Sequence, residues 1–193
     1  MTHFYTASFF PNGPRDPRLS TLACPELVPV ETLHENPWYS VRNRGGFFTV
    51  EYHLRQVVVL PVVNQDSIVM VRVKRPVIND TPLELPAGAI EKDEDSVTGA
   101  ARELLEETGM KVTNLDRFIS MPPISVSSTR NPNLSYIFKA DVSEEEYFNR
   151  QPHDEEIFSV ERFPIKDLAK KMTSGEIYVS LTLAVLGIFL VSR

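Results

Sequence analysis

Gly88-Ala89-Ile90-Glu91-Lys92-Asp93-Glu94 and, after seven more residues, Arg102-Glu103-Leu104-Leu105-Glu106-Glu107-Thr108-Gly109-Met110 form the stretch that decides the fold. Residues 95 to 108 carry a helix signature: an Asp or Ser start, apolar Val97, Ala101, Leu104 and Leu105, and Gly109 as the stop. With 3.6 residues and about 5.4 Å per turn, Glu103, Glu106 and Glu107 share one helix face and lie within reach of one another. On an exposed helix each like-charge pair costs only about a few tenths of a kcal/mol, so a solvated acidic face is one reading. Gathered in a cleft, the same carboxylates require cations. Hard oxygen donors at this spacing suit Mg²⁺ or Mn²⁺.

The flanking sequence predicts how that helix is housed. β-branched or alternating runs at Trp38–Asn43, Phe47–Leu54 and Gln56–Val63 read as strands, the first two joined by Gly45-Gly46. Asn64-Gln65-Asp66 turns the chain into a hairpin with Ser67–Val73, and Val57-Val58-Val59-Leu60 is apolar enough to be a central, buried strand. Further strands are expected at Asp116–Met121, Leu134–Ala140 and Ile157–Phe163. A short helix is expected at Ile165–Ser174 before Gly175, and an apolar one from Tyr178. Residues 1 to about 37, with six prolines and little periodicity, read as an extended arm. Strands in mixed pairing with helices on both faces make an α/β/α sandwich.

At every specified position the opening stretch resembles the Nudix box: glycine, five residues, glutamate, seven residues, then Arg-Glu-aliphatic-any-Glu-Glu-any-Gly-aliphatic. The resemblance implies the same α/β/α sandwich with a mixed sheet. It implies a domain over 51–193, preceded by an arm and strands over 1–50 that exchange between subunits of a homodimer. It also implies that Glu103, Glu106 and Glu107 hold Mg²⁺ or Mn²⁺ together with the carbonyl of Ala87. Arg102 then orients a carboxylate, Glu94 braces the loop, and Gly88 permits a tight turn beside ions and phosphate. A general base in this family comes from a later loop; Glu155, with Glu156 beside it as the alternative, occupies a matching position. Catalysis would fall to Glu107, Glu103, Arg102 and Glu155.

Leu83-Glu84-Leu85-Pro86-Ala87-Gly88, Arg75-Pro76 and Asn36-Pro37-Trp38-Tyr39-Ser40-Val41-Arg42 are similar to segments of the ADP-ribose pyrophosphatase and nucleoside diphosphate sugar hydrolase branch. The chain departs from that branch after the box, where Ile124 to Asn131 replaces a Ser-Pro-Gly context. The implied reaction is Mg²⁺-dependent cleavage of the diphosphate of a nucleoside diphosphate sugar, such as ADP-ribose, into two monophosphates. The alternatives are cleavage of a dinucleotide cofactor or free nucleotide, or a binding module that does not hydrolyse its ligand. Arg75 and Arg130 are candidates to pair with phosphate oxygens, or are surface cations. Glu84 either takes a sugar hydroxyl or braces its loop. Trp38, with Tyr39, Phe47 and Phe48, is a candidate to stack a base or to pack in the core.

Bulk properties narrow the classes. The 193 residues suffice for one domain with a full core. A net charge of −6 argues against a duplex nucleic-acid binder, which needs a basic face. Cys24 is the single cysteine, so no intrachain disulfide forms, and a cytoplasmic location is expected. The N-terminus lacks the basic start and apolar run of an export signal. Ile177 to Val191 is shorter than the roughly 20 residues a bilayer demands and reads as a buried core helix, so no membrane partner is expected.

Overall fold

The computed structural model describes Leu19 and residues 25–193. Most of the proline-rich arm, including Cys24 and His3, lies outside the described residues.

Strand β4 (Gln56–Val63) is apolar on both faces after Gln56 and lies at the centre of the main sheet. It turns at Asn64 and Gln65, whose φ values of 49° and 61° make a primed hairpin turn that suits the right-handed strand twist, into β5 (Ser67–Val73). With β8 (Phe118–Ser125), β9 (Leu134–Val142) and β10 (Ile157–Pro164) the path order is β10-β5-β4-β9-β8. β9 runs parallel to β4 and the other pairings are antiparallel, which makes the sheet mixed. Two short strands complete it: β6 (Leu83–Glu84) on β5, and β7 (Ala87–Ala89) on β4. They were not foreseen, because two or three residues carry no periodicity.

The period-2 alternation sorts the core into two layers. Val57, Val59 and Phe138 meet Ala100 and Leu104 of α1 (Ser96–Thr108) on one face. On the other, Val58, Leu60, Ile68 and Met70 meet Leu168 of α3 (Ile165–Thr173) and Val185, Leu186 and Phe189 of α4 (Ser180–Val191). Each Val, Leu, Ile, Met or Phe side chain among them contributes about 1.5–3 kcal/mol by leaving water. The apolar C-terminal stretch is therefore a core helix, starting two residues later than Tyr178. No helix among the described residues is long and apolar enough to cross a membrane.

Two expectations needed correction. Val30–Glu35, assigned to the arm, is strand β1, paired with β2 (Tyr39–Arg44), which pairs with β3 (Phe47–Tyr52) in a separate antiparallel sheet. All six β1 residues are exposed, so the strand rests on backbone hydrogen bonds and has no apolar face to betray it. Strand β8 starts later than expected, after a single 3₁₀ turn at Leu115–Arg117, and runs on through Pro122-Pro123 to Ser125. A register shift between Met121 and Ile124 accommodates the missing N–H donors. Residues Glu144–Phe148 form a short helix, α2, opened by a reciprocal Ser143–Glu146 cap.

Helix α1 begins where its sequence says. The Asp95 carboxylate accepts from Val97 N at 3.1 Å and Thr98 N at 3.0 Å. Its acidity is enhanced chiefly by the Thr98 hydroxyl, then by these amides. Asp95→Ala is expected to cost about 1 kcal/mol. Because the folded pKa is depressed, that contribution is present above the unfolded carboxylate value and disappears as pH falls through the folded one. Chemical denaturation of both proteins at neutral and strongly acid pH measures it.

Candidate active site

One helical turn apart on α1, Glu103 and Glu107 turn inward toward β7 and are only 8% and 5% exposed. The Ala87 N–H donates to Glu107 Oε2 at 3.0 Å. Gly88 faces Glu103 so closely that an added Cβ would lie 2.2 Å from its carboxyl carbon. The glycine is thus required by this approach and not, as expected, by a tight turn: its φ is not positive, and it pairs with Val57 inside the sheet. Glu106 stays at the rim, its side chain 40% exposed.

Arg102 ties the group together. Nε and Nη2 donate to the two oxygens of Glu94 at 3.1 and 3.0 Å, and Nη2 donates to the Ala89 carbonyl at 2.7 Å. Nη1 serves Glu103 at 2.9 Å and Glu106 at 2.8 Å. Glu94 also accepts from Glu91 N at 2.9 Å, so it braces the loop that carries β7 into α1. Among the described residues no three His, Cys, Asp or Glu side chains converge on one point. The reason is visible: Arg102 draws Glu103 and Glu106 to itself, while Ala87 holds Glu107.

Burial pushes the Glu107 carboxyl up to about 8; the Ala87 N–H and Arg75 oppose this, and the charges of Glu103 and Glu156 reinforce it. Burial also raises Glu103, against Arg102. Two buried carboxylates beside an exposed third form an oxygen-donor set short of positive charge, which fits a hard divalent cation.

The loop before β10 docks on the end of α1. Gln151 N donates to Gly109 O and Asp154 N to Glu106 O, each at 2.9 Å, and Lys74 N reaches Glu156 O at 3.1 Å. Gly109, at φ 72°, cannot be replaced here, since a Cβ would lie 1.9 Å from Gln151 O. Within this loop the sequence favoured Glu155. The charge of Glu156, the alternative beside it, acts on both Glu107 and Arg75.

Beside Ala87 lies a cleft with two halves of about 420 and 470 Å³, which share Tyr52, Val58, Ala87, Val126 and Leu181. Arg130 lines the first half; Arg75 and Glu84 line the second. Arg75 and Glu84 form a forked ion pair at 2.9 and 3.0 Å, and Arg130 also donates to Phe48 O at 3.1 Å. Trp38 is not in the cleft lining and is 71% exposed. Tyr52, Gln56, Asn133 and Leu181 do line it, and sequence reasoning missed them because no local pattern marks residues from four separate segments. A larger cavity of about 750 Å³, bordered by Gln65, Arg162 and Arg193, contains no residue of the acidic helix.

The family model of the NUDIX domain matches residues 52–182. The chain belongs to the Nudix family. This Nudix hydrolase is 30% identical over 133 residues to the ADP-ribose pyrophosphatase of Bacillus subtilis (strain 168), spanning 67% of this chain and 69% of that protein. It is also 40% identical over 68 residues to the methanol dehydrogenase activator of Bacillus methanolicus, which covers 35% of this chain and 37% of that protein. Among solved structures, an ADP compounds hydrolase matches with a TM-score of 0.63 at 19% identity, covering 89% of this chain and 94% of that one. That likeness bears on the fold, and it agrees with the α/β/α sandwich expected from the Nudix box. Nudix hydrolases generally use divalent metals, in keeping with the donor set on α1.

Proposed function

We propose that this Nudix hydrolase is a Mg²⁺-dependent pyrophosphohydrolase of nucleoside diphosphate sugars, with ADP-ribose as the foremost substrate. The observation that carries the reading is the buried Glu103–Glu107 pair held at Ala87, a residue that also lines the cleft walled by Arg75. The similarity to an ADP-ribose pyrophosphatase supports the choice of substrate.

In this reading Glu103, Glu106, Glu107 and the Ala87 carbonyl hold the metal, with Mn²⁺ able to replace Mg²⁺. The bound cation supplies charge neutralisation at the diphosphate and acidifies a water. Arg102 keeps Glu103 and Glu106 oriented through its hydrogen bonds. Arg75, and on the other side of the cleft Arg130, bind phosphate oxygens. Glu156 takes the proton of the attacking water, in place of the Glu155 that the sequence favoured. One P–O bond of the bridge breaks, and two monophosphates leave.

Incubation with ADP-ribose and Mg²⁺ followed by alkaline phosphatase tests this. Inorganic phosphate appears only after the internal diphosphate has been cut; none from any nucleoside diphosphate derivative refutes the reading. Gly88→Ala is expected to lower turnover about 100-fold by displacing Glu103, since misplacement on the order of 1 Å has that consequence. Its kcat, beside an unfolding midpoint close to that of the parent, measures the effect.

The N-terminal sheet is assigned to a C₂ homodimer. Val30, Leu33, Phe47 and Phe48 on its strands, and Trp38 beside them, are each at least 44% exposed, a concentration of apolar surface that suits a subunit contact. Sedimentation at micromolar concentration gives the mass. A cytoplasmic location accords with the single cysteine, and the net charge of −6 accords with a small-molecule rather than a nucleic-acid partner.

A further inference from the structure

We propose that Glu84 is a positioning residue that acts through Arg75, holding the guanidinium fork in the cleft so that its free edge meets the substrate diphosphate. This rests on the pyrophosphohydrolase reading above and assigns Glu84 a role other than direct contact with a sugar hydroxyl.

The two side chains meet in parallel, Arg75 Nε to Glu84 Oε1 at 2.9 Å and Nη2 to Oε2 at 3.0 Å. Both carboxylate oxygens are engaged, and the Glu84 side chain is 13% exposed against 41% for Arg75. The buried partner is the anchor and the exposed one is the presenter. Nη1 is not used in this pair and is available to an oxyanion. Glu84 is itself fixed by strand pairing with Val71 and, one residue on, by Leu85 N donating to Thr182 Oγ1 at 3.2 Å. The Arg75 backbone is fixed as well: its N–H donates to Asp80 O at 2.9 Å, and the Asp80 carboxylate accepts from the Tyr178 hydroxyl at 2.5 Å, tying the loop to the segment before α4.

A tether is needed because of what else attracts Arg75. The charges of Glu107 and Glu156 both act on it. Released from Glu84, a flexible cation would swing toward those carboxylates, neutralise the groups meant for metal and proton, and leave the diphosphate without its donor. The forked pair holds Arg75 short of them.

A double-mutant cycle on the full chain tests the assignment, with ADP-ribose and Mg²⁺ for kinetics and α,β-methylene ADP-ribose for equilibrium binding. Glu84→Gln is expected to raise KM and the analogue's Kd about tenfold while changing kcat less. Arg75→Ala is expected to raise them further, and Glu84→Gln added to Arg75→Ala to change nothing more. Multiplying effects in the double variant would mean that Glu84 touches substrate itself and would overturn the proposal, as would a Glu84→Gln protein that behaves like the parent. Should Glu84→Gln not fold, Arg75→Lys carries the test: lysine keeps the charge and loses the fork, so wild-type binding by that variant overturns the proposal and a KM raised about tenfold supports it. A parent chain that binds the analogue but cleaves no nucleoside diphosphate derivative refutes the hydrolytic reading alone, and the cycle is then read in Kd. Absence of both binding and cleavage overturns both.

Discussion

Glu107→Gln is expected to lower turnover of ADP-ribose by about 10³-fold, and Glu103→Gln by a similar factor, while the protein stays folded. The size follows from chemistry in which a metal contributes several kcal/mol of charge stabilisation, at about 1.4 kcal/mol per tenfold. Glutamine keeps the volume and one oxygen, so the hydrogen bond from Ala87 N–H survives and only the charge is lost. In the metal-free protein that charge is disfavoured by burial, so the unfolding midpoint should not drop. Activity against Mg²⁺ concentration separates the causes: loss of a ligand shifts the Mg²⁺ requirement upward. Near-normal activity in both variants would remove the basis for placing the metal on α1.

The second large effect distinguishes two neighbouring carboxylates. Glu156→Gln is expected to reduce kcat by about 10²–10⁴-fold, the usual contribution of a general base, with little change in KM. Glu155→Gln is expected to remain within about threefold of the parent, like most substitutions of an exposed loop side chain. The structural ground is that the charge of Glu156 bears on Glu107 and Arg75, in a loop held to α1 by Gln151 and Asp154. Initial rates at saturating substrate settle the matter, and the reverse order of the two effects would return the assignment to Glu155.

Much of this protein was legible in its residues. The strand β4 announced itself by an unbroken apolar run, which only a strand covered on both faces can bury. Helix α1 was delimited by Asp95 and Gly109, whose capping roles are local chemistry. Strand β1 was not legible, because an edge strand held by backbone bonds makes no demand on side-chain hydrophobicity. The pair Arg75–Glu84 was visible only as two separate candidates; nine residues apart on different strands and loops, they meet because β6 folds back on β5.

The box by itself determined the fold, the family and the identity of the acidic side chains, because spacing along one helix fixes which residues share a face. Tertiary structure alone decided how each is used. Packing of β7 against α1 buries Glu103 and Glu107 and leaves Glu106 at the rim. Docking of the loop at 149–156 on the end of α1 brings the charge of Glu156 to bear on Glu107, and closure of β6 on β5 gives Arg75 a partner. Exposure, pairing and charge at a site depend on which distant segments are brought beside it, and no rule of local spacing contains that information.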